Sequence, residues 1–346
     1  MDDRSDNGAA KVLVVEDSKF FANLLKNGIE SRLGFETLMA PSYADAVRLV
    51  QQHRGGILAA LVDLNLPDAP DGEVVDYILV ERIPAIVFTA TYTDETREYV
   101  QAKNIVDYVT KDNPANLDYL IELLGRLHRN GGVKVLLVDD SKVARMHTRE
   151  LLERHRFLVV EAASATQAMK TLESDPAIRL VITDYHMPEV NGAQFVKQIR
   201  SKFRRDELAV IGLSAYGNDL LSARFMKNGA SDFLNKPFLV EELFCRIYQN
   251  LDLVGHIREL KNGLALIDAL RRKAERLNYV RVRADRPIAD PVVLLNGYAA
   301  FLDRQLVDGG RSAVRPENAR ILDAARALEE ALAAARPEAK NGAKAS

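Results

Sequence analysis

One eight-residue run, present twice, constrains this chain more than any other feature. Residues 11–18 read KVLVVEDS and residues 134–141 read KVLLVDDS. An apolar run of this length fits a strand buried on both faces of a parallel sheet. Acidic residues at its end would sit at the carboxyl edge, where open α/β folds place their sites. Polar positions at later strand ends keep nearly the same spacing. Asp17 and Asp140 are 123 residues apart, Asp63 and Asp184 121, Thr89 and Ser214 125, and Lys111 and Lys236 125. Such constancy indicates a tandem duplication.

Each copy alternates apolar runs with amphipathic ones. Strands are predicted at 11–15, 35–39, 57–62, 85–88 and 105–108, then at 133–138, 157–160, 178–183, 208–213 and 232–234. Helices fall between them, the last of the first copy from 114 to about 128. Five strands alternating with helices predict an α/β domain with a central parallel sheet covered on both faces. The domains are expected at 11–129 and 133–250, after a disordered lead-in (1–10), with Arg129-Asn-Gly-Gly132 as a short linker.

Beyond about residue 240 the strands stop. Leu243, Ile247, Val254, Ile257, Leu264 and Ile267 fall mostly at three- and four-residue steps, as on one helix face. A helix running on to about residue 278 would be roughly 60 Å long, with Asn262-Gly263 its weak point. Pro287 and Pro291 break it, and two further helices are expected over 292–306 and 316–335. Residues 251–335 thus form a predicted helical dimerisation or docking segment, followed by a disordered tail (336–346).

With 47% hydrophobic and 28% charged residues and a net charge of −2, nothing points to nucleic acid or membrane. The single cysteine, Cys245, excludes an internal disulfide framework, and its neighbours LFCRI predict a buried thiol. The polar start MDDRSDNGAA is unlike a signal peptide. A cytoplasmic protein is expected.

Each copy supplies an acidic pair after strand one, an aspartate after strand three, a hydroxyl after strand four and a lysine after strand five. Three carboxylates converging at one sheet edge repel unless a cation joins them. An all-oxygen cluster with room for water suits a hard octahedral ion, Mg²⁺ above others. A carboxylate beside Mg²⁺ and an ammonium suits phosphoryl transfer onto that carboxylate.

These five motifs, agreeing twice, resemble the receiver domains of two-component response regulators, CheY-like folds of flavodoxin-like (βα)5 type. The spacing supports it: hydroxyl to aromatic is 19 residues in both copies (89 to 108, 214 to 233), and hydroxyl to lysine is 22 (89 to 111, 214 to 236). The resemblance implies Asp63 and Asp184 as phosphoacceptors. It implies one Mg²⁺ per domain, held by Glu16, Asp17, Asp63 and the Asn65 carbonyl, and by Asp139, Asp140, Asp184 and the His186 carbonyl. Thr89 with Tyr108 and Ser214 with Phe233 would be switch pairs, and Lys111 and Lys236 would bond the phosphoryl group. His186 and Tyr216 stand at positions tied in the family to dephosphorylation rate. The implied function is phosphorelay signalling rather than metabolic catalysis. The donor would be a sensor histidine kinase or a histidine phosphotransfer protein. Phosphorylation would switch a surface for a downstream protein or a homodimer of the C-terminal helices.

The copies also depart from each other. Lys236-Pro237 follows the family, where this pair is typically cis, whereas the first copy has Lys111-Asp112. Acceptor to hydroxyl is 26 residues in the first copy and 30 in the second, which predicts a third helix about a turn short in the first. The receiver pair is similar to those preceding diguanylate cyclase domains, but no GG(D/E)EF signature follows. PVVLLNGYAAFL resembles the first helix of a histidine-kinase dimerisation domain with Arg286 at the histidine position. KNGLALIDALRR resembles that of another kinase subfamily, with Arg258 there. His256 is the one histidine of the segment. The alternative reading is a degenerate cyclase- or kinase-like regulator of an intact enzyme partner.

Overall fold

The computed structural model describes residues 9–90, 103–214 and 219–282. The first repeat runs β1 (Lys11–Val15), α1 (Lys19–Leu33), β2 (Glu36–Ala40), α2 (Tyr43–Gln52), β3 (Ile57–Val62), α3 (Glu73–Val80), β4 (Ala85–Thr89), β5 (Asp107–Thr110) and α4 (Pro114–Asn130). The second runs β6 (Lys134–Val138), α5 (Lys142–Arg154), β7 (Leu158–Ala162), α6 (Ala165–Ser174), β8 (Ile178–Asp184), α7 (Gly192–Arg200), β9 (Ala209–Ser214), α8 (Asp219–Asn228), β10 (Asp232–Asn235) and α9 (Val240–Val282). Both repeats belong to one unit that ends at Arg258; a second unit begins at Glu259, and its described residues continue α9.

The two sheets are parallel and share one order, β2-β1-β3-β4-β5 and β7-β6-β8-β9-β10. These are two flavodoxin-like folds, as expected. Alternation along the strands builds two cores per repeat. In the first, Leu13 and Val15 pack with Val62, Val75 and Ile78 on one face, while Val12 and Val14 pack with Leu25, Ile29 and Leu124 on the other. β3 is buried at all six positions, as a central strand covered by helices must be. Each such Leu, Ile or Val contributes about 1.5–3 kcal/mol through burial.

Helix starts follow the sequence. Ser42 accepts from Asp45 N–H, Ser164 from Gln167 N–H, and Asn191 forms a capping box with Gln194. Gly192 opens α7 where a Cβ would fall 2.3 Å from the Asp184 carbonyl oxygen, so the loop after Asp184 closes only around glycine.

Three expectations need correction. The missing residues of the first repeat are not taken from its third helix: α3 has eight residues and α7 nine. They are taken from the following turn, four residues (81–84) against eight (201–208). Cys245 is exposed, not buried, because Leu243, Phe244 and Ile247 define the inward face of α9 and Cys245 points away from it. Asn130 is not linker. It ends α4, is 4% exposed, and bonds across to the second repeat.

Asn262-Gly263 does not interrupt α9. No helix among the described residues is long and apolar enough to cross a membrane. The expected helices at 292–306 and 316–335, Pro287, Pro291 and Arg286 lie outside the described residues, as do residues 1–8 of the lead-in, the tail and Tyr216. Ala10, expected in the lead-in, accepts the Glu36 N–H (2.8 Å).

Candidate functional site

At the carboxyl edge of the first sheet, backbone pairing continues one residue past the strands. Glu16 N–H donates to the Ala40 carbonyl (3.0 Å), Asp63 N–H to Val15 (2.9 Å) and Lys111 N–H to Thr89 (3.0 Å). The second sheet does the same, with Asp139 N–H on Ala162 (3.3 Å) and Lys236 N–H on Ser214 (2.6 Å). Asp184 is the last residue of β8, paired with Leu213 of β9. These ladders bring Glu16, Asp63 and Lys111 together in the first repeat and Asp139, Asp184 and Lys236 together in the second.

In the first site Lys111 Nζ lies 2.5 Å from Glu16 Oε2 and 2.5 Å from Asp63 Oδ2. In the second, Lys236 Nζ lies 3.0 Å from Asp139 Oδ2 and 2.7 Å from Asp184 Oδ1. The other acceptor oxygen takes a backbone N–H two residues on, Asn65 N–H onto Asp63 Oδ1 (3.2 Å) and His186 N–H onto Asp184 Oδ2 (2.7 Å). Both carboxylates are therefore held in a fixed rotation.

The sites differ in enclosure. The Lys111 side chain is 4% exposed and that of Lys236 23%. Lys111 Nζ sits 4.8 Å from the Phe21 ring centroid and 5.4 Å from that of Phe88, within cation–π range. The 123- and 125-residue offsets put Ala144 and Leu213 at these two places in the second repeat. Burial raises the Glu16 carboxyl above its usual range despite Lys111 beside it. Burial would lower the Lys236 ammonium, but its hydrogen bonds to Asp184 and Asp139 outweigh that and raise it.

Glu16, Asp17 and Asp63 bring one carboxylate oxygen each within 4.8 Å of one another, the one such cluster among the described residues. Three carboxylates against one ammonium leave two negative charges, which a divalent cation cancels. The all-oxygen donor set fits a hard ion. Asp17 and Asp140 are exposed, as is His186, and among the described residues Asp140 is not drawn into a cluster of this kind. Thr89 and Ser214 are fully buried at the ends of β4 and β9, and among the described residues Ser214 Oγ has no hydrogen-bond partner. Tyr108 and Phe233 are half-buried on β5 and β10. His256 and Arg258 are exposed on α9, remote in sequence from either site.

Sequence reasoning did not single out Phe21, Phe88 or Arg145. Arg145 Nη1 donates to the Asp139 carbonyl (2.6 Å) while its Nε bonds Glu161. An aromatic three residues after Ser18 on the first helix was the available signal for Phe21.

The model of the response regulator receiver domain matches residues 12–123 and 135–248. The two-component response regulator ORR5 of Oryza sativa subsp. japonica is 35% identical over 111 residues, 32% of this chain and 83% of that protein. Chemotaxis protein CheY1 of Helicobacter pylori is 32% identical over 112 residues, 32% of this chain and 90% of that protein. A solved structure described as a two-component system response regulator/GGDEF domain protein is 39% identical with a TM-score of 0.64, covering 71% of this chain and 99% of its own. Two receiver domains and response-regulator relatives place the chain in two-component phosphorelay signalling. The chain belongs to the response regulator receiver domain family, whose fold it carries twice in tandem.

Proposed function

We propose that Asp63 and Asp184 each accept a phosphoryl group from a phosphohistidine of a sensor kinase or phosphotransfer protein, with Mg²⁺ bound. A carboxylate oxygen attacks phosphorus of a phosphohistidine protonated on its other ring nitrogen, the P–N bond breaks, the imidazole leaves neutral with that proton, and an acyl phosphate forms. Mg²⁺, when bound by Glu16, Asp17 and Asp63 or by Asp139, Asp140 and Asp184, supplies charge neutralisation on the phosphoryl oxygens. The Asn65 and His186 carbonyls are proposed as further ligands. Lys111 and Lys236 release one acid and grip the phosphoryl group. Thr89 and Ser214 turn their hydroxyls toward it, and Tyr108 and Phe233 follow as switch residues. The observation that carries this reading is the fixed lysine–carboxylate contact, at 2.5 Å in the first site and 2.7 Å in the second, made by the same strand ends in both. The buried Ser214 hydroxyl, without a hydrogen-bond partner among the described residues, agrees with it.

The output we propose is a changed protein surface or dimer state. Leu253 (58% exposed), Ile257, Leu260, Leu264 (62%) and Ile267 follow one another along α9 at alternating four- and three-residue steps, the seam of a coiled coil. A second copy of this chain is the proposed partner. The likeness to a response regulator/GGDEF protein favours one further reading, a cyclase-like regulator acting on an intact enzyme. Phosphotransfer onto wild type, Asp63→Asn and Asp184→Asn tests the central reading. Intact mass should show two phosphoryl groups, one and one, and none when Mg²⁺ is chelated before the donor is added; incorporation into Asp63→Asn/Asp184→Asn at the wild-type level would overturn it.

A further inference from the structure

Polar groups join the two receivers, and two of them, Asn130 and His155, are buried. Arg126 on α4 pairs with Asp252 on α9 (3.0 Å), and its guanidinium lies 4.5 Å from the centroid of the Tyr248 ring. Asn130 Nδ2 donates to the His155 carbonyl (2.9 Å) and reaches the Tyr248 hydroxyl (3.3 Å), which bonds His155 Nδ1 (2.9 Å). Arg156 Nη1 donates to the Leu58 carbonyl at the start of β3 (3.3 Å). Asn130 and His155 are 4% and 3% exposed, and parting the receivers breaks the bonds from Asn130 to the His155 carbonyl and the Tyr248 hydroxyl.

The other end of α4 reaches the first receiver's switch strand. Tyr119 donates its hydroxyl to Asp107, whose other oxygen accepts the Tyr108 N–H (2.7 Å). In the second receiver the corresponding carboxylate, Asp232, accepts the Phe233 N–H and is paired with Arg246 (3.0 Å) and Asn250 on its own last helix. The 125-residue offset puts Ile121 and Gly125 where that cation and amide stand. Asp107 therefore has no cation at the matching position of its own last helix. Burial raises its carboxyl, and Glu241 at the start of α9 raises it further. The field of the second receiver thus acts on the residue next to Tyr108.

We propose that the α4–α9 contact is a coupling surface through which ligation at Asp63 and ligation at Asp184 alter each other, making the second receiver the output partner of the first. This rests on both aspartates being phosphoacceptors. A contiguous set of bonds runs from Tyr108 through Asp107 and Tyr119 along α4 to Arg126 and Asn130, then to Tyr248, Asp252 and α9. Coupling of this kind is reciprocal and typically worth about 5–150-fold.

The test is calorimetric titration of the full chain with beryllofluoride in excess Mg²⁺. Asp63→Asn and Asp184→Asn supply the single-site constants. Coupling predicts that the wild-type pair departs from their product by about five-fold or more, and that Arg126→Ala and the milder Asp252→Asn remove the departure. Single-site variants that bind beryllofluoride while the wild type behaves as two independent sites would overturn the coupling alone. A departure that persists in both interface variants would overturn the proposed surface. Failure of both single-site variants to bind would overturn the phosphoacceptor reading and the coupling with it.

Discussion

The two receivers share a topology and a set of site residues, yet they enclose the central lysine differently. Lys111 is sealed between Glu16, Asp63 and two aromatic rings, whereas Lys236 stands between Asp139 and Asp184 with water access. One set of charged groups can therefore be placed in a dry site and a wetter one by changing the side chains around it. The dry site has stronger electrostatics per contact and a higher penalty for any unpaired charge.

Replacing each lysine by methionine in chelator should break this comparison most forcefully. Lys111→Met strands two buried carboxylates, and breaking such a pair costs about 3–5 kcal/mol. Lys236→Met should cost clearly less, because water reaches that side chain. Hydrogen exchange on the core strands of each receiver measures both losses separately; equal losses would show that enclosure is not the distinction.

Acidification comes next. His155 sits only in the second receiver, stacked on Phe244 and bonded to Tyr248, and burial lowers its pKa to about 3. Its Nε2 makes no well-formed hydrogen bond, and the lean toward the Val106 backbone does not offset burial. Between about pH 6.5 and 3 the unfolded chain binds a proton there that the folded chain does not. Stability should therefore fall with pH across that window, by up to about 1.4 kcal/mol per pH unit. His155→Phe should flatten that slope in a urea titration series.

Smallest is Phe21→Leu, which keeps the packing and removes the ring face under Lys111. A loss of about 0.5–1 kcal/mol is expected in the first receiver, read from the same exchange experiment. An unchanged first receiver would mean that Phe21 only fills space.

The strand ends and their acids were legible in the sequence because burial of a central strand leaves a continuous apolar run, and its end must be polar. Duplication made each reading check the other. What escaped was tertiary. Asn130 sits in Arg-Asn-Gly-Gly, which has linker composition, but its partners His155 and Tyr248 are remote in sequence. The shortfall between Asp63 and Thr89 was visible as a number, but not its place in the turn after α3. LFCRI promised a buried cysteine because composition ignores which way a helix faces.

That α9 is at once the final helix of the second receiver and the first element of the second unit has a practical corollary for dissecting the protein. The receiver's own core extends past residue 250, since Val254 packs with Leu243 and Ile247 while Asp252 anchors Arg126 of the first domain. Scissors placed after Asn250 would remove a core side chain and an inter-receiver tether together. A fragment trimmed there would therefore misreport the tandem, and the natural place to cut is beyond Arg258.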